Sequence, residues 1–224
     1  KKILNKQSVN ELRCSLQEII LDLSKVPLLL KLMSICPLAD LELENVLMDI
    51  RFSLLSSVSE DSLGALDFQS ALALQCFTNE YVYNHSDKEI KALEVLENIA
   101  KEALLKGKQP SPQSILCLAS YKALHEYEWC DLIAVNPSIQ DVFARQVLEP
   151  KQESHLKADI PALQEITDKV SSKVRTQYEA NPYPRWVNLG LDSKPKTISK
   201  VVNQLKLKLV DQKINKVKNP NILI

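Results

Sequence analysis

The sequence predicts an all-α protein, an irregular multi-helix bundle, and three observations support that class. Apolar residues recur at helical spacing through most of the 224 positions, the pattern of helices that bury one face. Glycine occurs only at Gly64, Gly107 and Gly190, far below the usual share of about 7%, which is too little for turn-rich β architecture. Helix-starting and helix-stopping residues bracket the periodic segments.

The elements follow in order. "SVNELRCSLQEIILDL" opens with Ser8 and Glu11 at capping-box spacing. "SKVPLLLKLMSIC" predicts a second helix, with Ser24 or Lys25 near its cap, Pro27 in its first turn and Pro37 closing it. From Asp40, "DLELENVLMDIRFSLLSSV" sets Leu43, Val46, Leu47, Ile50, Leu54 and Leu55 on one face. "DFQSALALQCFTNEYVY", from Asp67, is apolar almost all round and predicts the most buried helix. "SDKEIKALEVLENIAKEALLKG" starts at Ser86 and stops at Gly107. "SPQSILCLASYKAL" has Pro112 in its first turn, and "NPSIQDVFARQVLEP" and "ALQEITDKVSSKVRTQYEA" complete the helical body. No segment recurs at a fixed period, so a bundle is expected rather than a solenoid.

The tail differs. From Leu191 onward Lys194, Lys196, Lys200, Lys206, Lys208, Lys213, Lys216 and Lys218 stand against only Asp192 and Asp211. "SKPKTISKVVNQLKLKL" predicts one amphipathic helix carrying Ile198, Val201, Val202, Leu205 and Leu209. In "NPNILI" the Asn-Pro pair signals a turn, and "NILI" has the composition of a first buried β-strand, which needs sheet partners. Two regions result: a helical domain over residues 1–186, and residues 187–224 with a linker, the basic helix and that strand start.

Composition bounds the function. Apolar residues make up 45% and charged residues 25% of the chain, the balance of an ordinary globular protein. Lys plus Arg and Asp plus Glu are both 28, so no basic field favours nucleic acid. The lysines of the tail read as a solvated face, because they lack the interleaved aromatics of single-strand binders. Cys14, Cys36, Cys76, Cys117 and Cys130 include no CxxC pair and fit reduced core thiols, with a cytoplasmic location expected. "VPLLLKLMSICPL" is too short and interrupted to cross a bilayer. "CFTNEYVYNHSDKE" holds Asn79, Glu80, His85, Asp87 and Glu89, but Glu80 and His85 are five apart and off one helical face, so no metal site is expected. Asn79 and Glu80 are expected to be buried groups bonded to backbone or to an arginine such as Arg51. His125 and His155 are lone histidines with surface roles, and no catalytic set can be read from spacing.

The most distinctive stretch is "QYEANPYPRW", Gln177 to Trp186. It gathers two of the six tyrosines and one of the two tryptophans. Pro182 and Pro184 fix φ and hold Asn181 and Tyr183 extended, so the preceding helix must stop near Ala180. Tyr178, Tyr183 and Trp186 offer aromatic faces that can stack on a ring or face a cation. Arg185 can pair with a carboxylate, and Glu179 can accept hydrogen bonds from hydroxyls or an amine. The same composition also suits a rigid junction that buries its rings against a neighbouring domain.

Together with "ELENVLMDIRFSLL", "ALALQCFTNEYVY", "ASYKALHEYEW" and "RQVLEP", this stretch resembles the region before the catalytic domain in a bacterial family of S-adenosyl-L-methionine-dependent methyltransferases, often described as tetratricopeptide-repeat methyltransferases. The resemblance covers roughly Leu29 to Ile224. Its most specific part is similar to QYEENPYPRW and departs at Ala180. The resemblance implies that "NILI" begins the first strand of a Rossmann-like methyltransferase domain, and that Tyr178, Glu179, Asn181, Tyr183, Arg185 and Trp186 form a lid over cofactor or substrate. It implies S-adenosyl-L-methionine as the cofactor of the complete enzyme and a C-terminal methyltransferase domain as partner, with a homo-oligomeric contact as a further possibility. The methyl acceptor is not specified. The 224 residues contain no glycine-rich cofactor loop, so no catalytic residue is assigned and this chain alone is expected to be inactive. The alternative is a non-catalytic helical interaction module.

Overall fold

The computed structural model describes residues 11–58, 65–158, 166–180, 194, 196–208 and 211–217. Among them every regular element is helical and none is a strand. The chain divides into two compact units, Lys1–Val187 and Asn188–Ile224. "NILI" lies outside the described residues.

Within the first unit, α1 (Glu11–Ser24), α2 (Pro27–Ile35) and α3 (Leu41–Ser56) form one side. Pro27 begins α2 with Val26 as an unassisted N-cap, so neither Ser24 nor Lys25 caps it; the Ser24 hydroxyl instead bonds the Ile20 carbonyl at 2.6 Å. Asp40 caps α3 by accepting from the Leu43 N–H at 2.9 Å. The expected α3 face is buried at Leu47, Ile50, Leu54 and Leu55, and Arg51 is buried with it.

Helix α4 (Leu66–Thr78) is the centre, in contact with α1, α2, α6 (Pro112–Ala119) and α7 (Gln140–Phe143). Two hydrophobic cores meet on it. Phe68, Ala71, Leu72 and Cys76 join Ile20, Met33, Leu47, Ile50 and Tyr83. Ala73 and Leu74 join Leu116, Leu118, Leu124, Ile139, Val142 and Val147. A helix walled on both sides has no polar stripe to show, which is why its sequence is apolar all round. Gln75, fully buried, caps a neighbour: with its nitrogen turned that way, its amide donates to the Met33 and Cys36 carbonyls and accepts from the Leu38 N–H, each at 3.0 Å.

Helix α4 ends five residues earlier than Tyr83, where its sequence pattern runs out. Glu80 and Tyr81 take left-handed backbone, φ 59° and 53°. The Tyr81 N–H bonds Cys76 O and the Glu80 N–H bonds Phe77 O, the paired bonds of a Schellman cap with glutamate in the usual glycine position. Helix α5 (Asp87–Leu105) carries the complete Ser86–Glu89 capping box, and Gly107 closes it at φ 72° with the same pair of bonds. Helix α6 stops at Ala119.

The segment after α7 widens into one π-helical turn, Ala144–Leu148, and continues as α8 (Glu149–Ala158) straight through Pro150. Proline has no N–H for the carbonyl four residues back and its ring crowds that carbonyl. The wider turn gives the ring room, and the stranded carbonyl of Gln146 accepts instead from His125 Nδ1 at 2.8 Å. His125 is exposed, as expected, but its ring is committed to this bond. Helix α9 (Lys169–Ala180) begins where Asp168 accepts from the Ser171 N–H at 2.7 Å.

In the second unit, α10 (Ile198–Gln204) is capped by Thr197 and is shorter than the amphipathic run suggests. Lys206, at φ 52°, ends it in a further Schellman cap.

Candidate functional site

Of the six expected site residues, two are described. Tyr178 and Glu179 lie in the last turn of α9; Asn181, Tyr183, Arg185 and Trp186 lie outside the described residues. Tyr178 is 62% exposed and presents a free aromatic face. Glu179 is engaged: Lys157 Nζ of α8 reaches it at 2.8 Å and Arg175 Nε at 3.1 Å. The Lys157 hydrogen bond holds the Glu179 carboxyl below its ordinary range, with the Lys157 and Arg175 charges adding to it. Tyr178 is thus an exposed ring at the end of α9, while Glu179 is tied to its own unit.

The strongest polar constellation in the unit is one the sequence did not reveal. Arg51, 1% exposed on α3, stacks over Tyr121 with its guanidinium carbon 4.1 Å from the ring centroid, and lies 5.6 Å from that of Tyr83. Its Nη2 donates to the Asn84 carbonyl at 2.9 Å and approaches Glu89 Oε1 at 3.6 Å. Glu89 in turn accepts from the Ser86 N–H at 2.7 Å, the Ser86 hydroxyl at 2.8 Å and the Tyr121 hydroxyl at 2.9 Å. Burial works to raise the Glu89 carboxyl, but the Ser86 and Tyr121 hydrogen bonds and the Arg51 charge outweigh it and leave its pKa below the ordinary value. Burial pushes the Cys76 thiol up to about 12 despite the neighbouring Arg51 charge; a thiol held protonated in this way is no nucleophile. His85 packs edge-on against Tyr121 at 5.2 Å, and burial, then Arg51, lower its pKa.

This arrangement corrects the expected pairing. Arg51 meets Glu89 and the Asn84 carbonyl, not Asn79 or Glu80. The Asn79 amide is buried with neither of its polar atoms hydrogen-bonded. The reason is the early end of α4: the left-handed turn at Glu80 and Tyr81 carries residues 82–86 across to α3, so the α5 cap, not the α4 terminus, reaches the arginine. The cluster fastens α3 to the cap of α5 and to Tyr121 just after α6, and both oxygens of its carboxylate are engaged. Among the described residues no group of three His, Cys, Asp or Glu could hold a metal ion.

Among the described residues a concave site opens to solvent. A cleft of about 330 Å3 lies between α2, α4 and the Pro137–Asp141 segment that enters α7. Its charged lining is Lys31, Asp67 and Asp141, and Ser34, Ser70 and Ser138 add hydroxyls. Leu30, Ala71 and Leu74 supply apolar surface. No sequence signal marks it, because its residues come from segments more than a hundred positions apart.

No protein-family model, curated protein or solved structure matches the chain.

Proposed function

We propose that this chain is the helical region that precedes the catalytic domain of an S-adenosyl-L-methionine-dependent methyltransferase, where it serves as lid and substrate-recognition surface. The observation that carries the reading is the stretch Gln177–Trp186, in which an exposed tyrosine at the end of α9 leads directly into a proline-fixed aromatic segment. The described residues do not build a cofactor site by themselves. Glu179 is held by Lys157 and Arg175, no glycine-rich loop occurs in the 224 residues, and of the two described lid residues Tyr178 is the one that offers an unengaged face. The chain is therefore inactive alone in this reading, and the cofactor would be held by a domain outside it.

Calorimetric titration of S-adenosyl-L-methionine into the protein extended along its coding sequence tests this. Micromolar affinity in the extended protein, absent from residues 1–224, is the expected result. An extended protein that ignores the cofactor would sink the proposal.

A second reading, a non-catalytic interaction module, has its own support. Val170, Val174 and Tyr178 repeat every four residues along α9 and are 44–68% exposed, an apolar stripe left open on a helix. Isolated helices of this length are marginal in water, so a covering partner would stabilise it. Hydrogen exchange of α9 that stays fast in the extended protein would count against an intramolecular cover and favour this reading.

A further inference from the structure

We propose that the cleft between α2, α4 and α7 binds an apolar α-amino acid, free or as the first residue of a peptide. Three features of the lining converge on that chemistry. Ala71 and Leu74 are buried and Leu30 is half-buried, whereas Lys31, Asp67 and Asp141 are exposed. The apolar surface is thus the deeper part and the charges form the mouth. A ligand that matches has an apolar side chain of a few carbons to set inside and a charged end that stays near water.

The charges define that end. Two carboxylates, Asp67 and Asp141, can receive a primary ammonium, and one ammonium, Lys31, can receive a carboxylate or a carbonyl oxygen. Among the described residues none of the three is in an ion pair or a side-chain hydrogen bond, so all three are available to a ligand. One cation against two carboxylates leaves the mouth negative by one, which suits a ligand whose ammonium is obligatory and whose carboxylate is not. Ser70 and Ser138 add hydroxyls that can serve a following peptide group. The volume, about 330 Å3, is at the lower end of small-molecule sites, which run from roughly 300 to 1,000 Å3; it holds one residue of leucine's size with room for a following peptide group. The site lies within the first unit and is independent of the methyltransferase reading.

The test is an amide-resolved NMR titration of the 224-residue protein with a ligand series: leucine, leucinamide, the tripeptide Leu-Gly-Gly, glycine, and 4-methylpentanoate, which is leucine without its ammonium. Leucine is expected to shift the Ser70, Ala71, Ser138 and Asp141 amides at millimolar concentration. Glycine and 4-methylpentanoate are each expected to bind roughly tenfold more weakly or worse, since the first lacks the apolar group and the second the charge-assisted bonds. Asp67→Asn with Asp141→Asn should weaken leucine by a similar factor. Lys31→Gln should weaken leucine more than leucinamide, because the ammonium pairs with a charge in the first and with a neutral carbonyl in the second. A preference for Leu-Gly-Gly over leucine assigns the site to a peptide terminus, and the reverse assigns it to the free amino acid. Equal binding of 4-methylpentanoate and leucine, or no shift of these amides by any member at about 50 mM, overturns the proposal. Because the ligand series is run on the unmodified protein, a variant that fails to fold does not blunt the test.

Discussion

Arg51→Ala is the substitution that tests the buried cluster most directly. The change removes a donor bond to the Asn84 carbonyl, a stacked contact at 4.1 Å with Tyr121 and the positive neighbour of Glu89. A hydrogen bond from a charged group contributes about 1.5–3 kcal/mol net, and a desolvated cation–π contact about 2 kcal/mol. Against this, the Arg51 Nε and Nη1 have no hydrogen-bond partner, so the wild-type arginine has not recovered its full desolvation cost. Glu89 also keeps three donors after the change. The balance is a loss of about 3 kcal/mol, at the lower end of the 3–5 kcal/mol typical when one partner of a buried pair is removed. Urea unfolding followed by circular dichroism at constant slope would measure it. Arg51→Met, which fills the same space without charge, should lose less than Arg51→Ala. The pH dependence adds a second readout. Glu89 has a folded-state pKa below its unfolded value, so its stabilising contribution is present above the unfolded value of about 4.3 and is lost as pH falls through the folded one. The stability gap between wild type and Glu89→Gln should therefore close on acidification below about pH 4. A destabilisation by Arg51→Ala under about 1 kcal/mol, or a gap that widens with acid, would refute the view that this pair fastens α3 to α5.

Three further outcomes follow from local geometry. Gln146→Leu removes the amide's bonds to the Ala119 and Ala73 carbonyls and strands the Leu124 N–H, and should cost about 2–3 kcal/mol in the same unfolding assay. Gly107→Ala meets no atom within 4 Å, so its cost, about 1 kcal/mol, should come from the positive φ alone. Lys206→Gly relieves the mirror-image strain at φ 52° and should raise the stability of α10 by about 1 kcal/mol, read as increased amide protection at Val201 and Val202.

The contrast between Gly107 and those left-handed positions explains how far the sequence was legible. Three helices, α4, α5 and α10, end in the same pair of backbone bonds. At α5 the left-handed residue is glycine, so both ends of the helix could be read from residue type. At α4 and α10 it is Glu80 and Lys206, residues with no local preference for that conformation, and the apolar rhythm runs on past the true end. At α4 the Tyr81 hydroxyl bonds the Ala119 carbonyl, a partner that no local window of sequence contains. Pro150 misleads in the opposite sense, because the helix survives it only through a partner 25 positions earlier, His125. The centrality of α4 was legible because burial on two sides leaves a compositional trace. The Arg51–Glu89 pair was not, since Arg51 looks like any polar residue on an amphipathic helix until Tyr83, Asn84 and Tyr121 are folded around it.

These devices share a purpose within the first unit. Gln146 bonds α4, α6 and the loop before Glu126 in one amide; Tyr81 reaches the same Ala119 carbonyl through its hydroxyl at 3.1 Å; Arg51 ties α3 to the cap of α5. Each spends buried polar groups on fixing relative positions, where apolar side chains would hold the helices together without choosing a single register. The contrast with α9 is physical: its described side chains are exposed all round, and its link to α8 is the surface pair Lys157–Glu179, a contact worth at most about 1 kcal/mol. A helix with few buried contacts opens locally before a body held by buried polar bonds, so hydrogen exchange at the α9 amides should be faster than at those of α4 and α5 in the same protein.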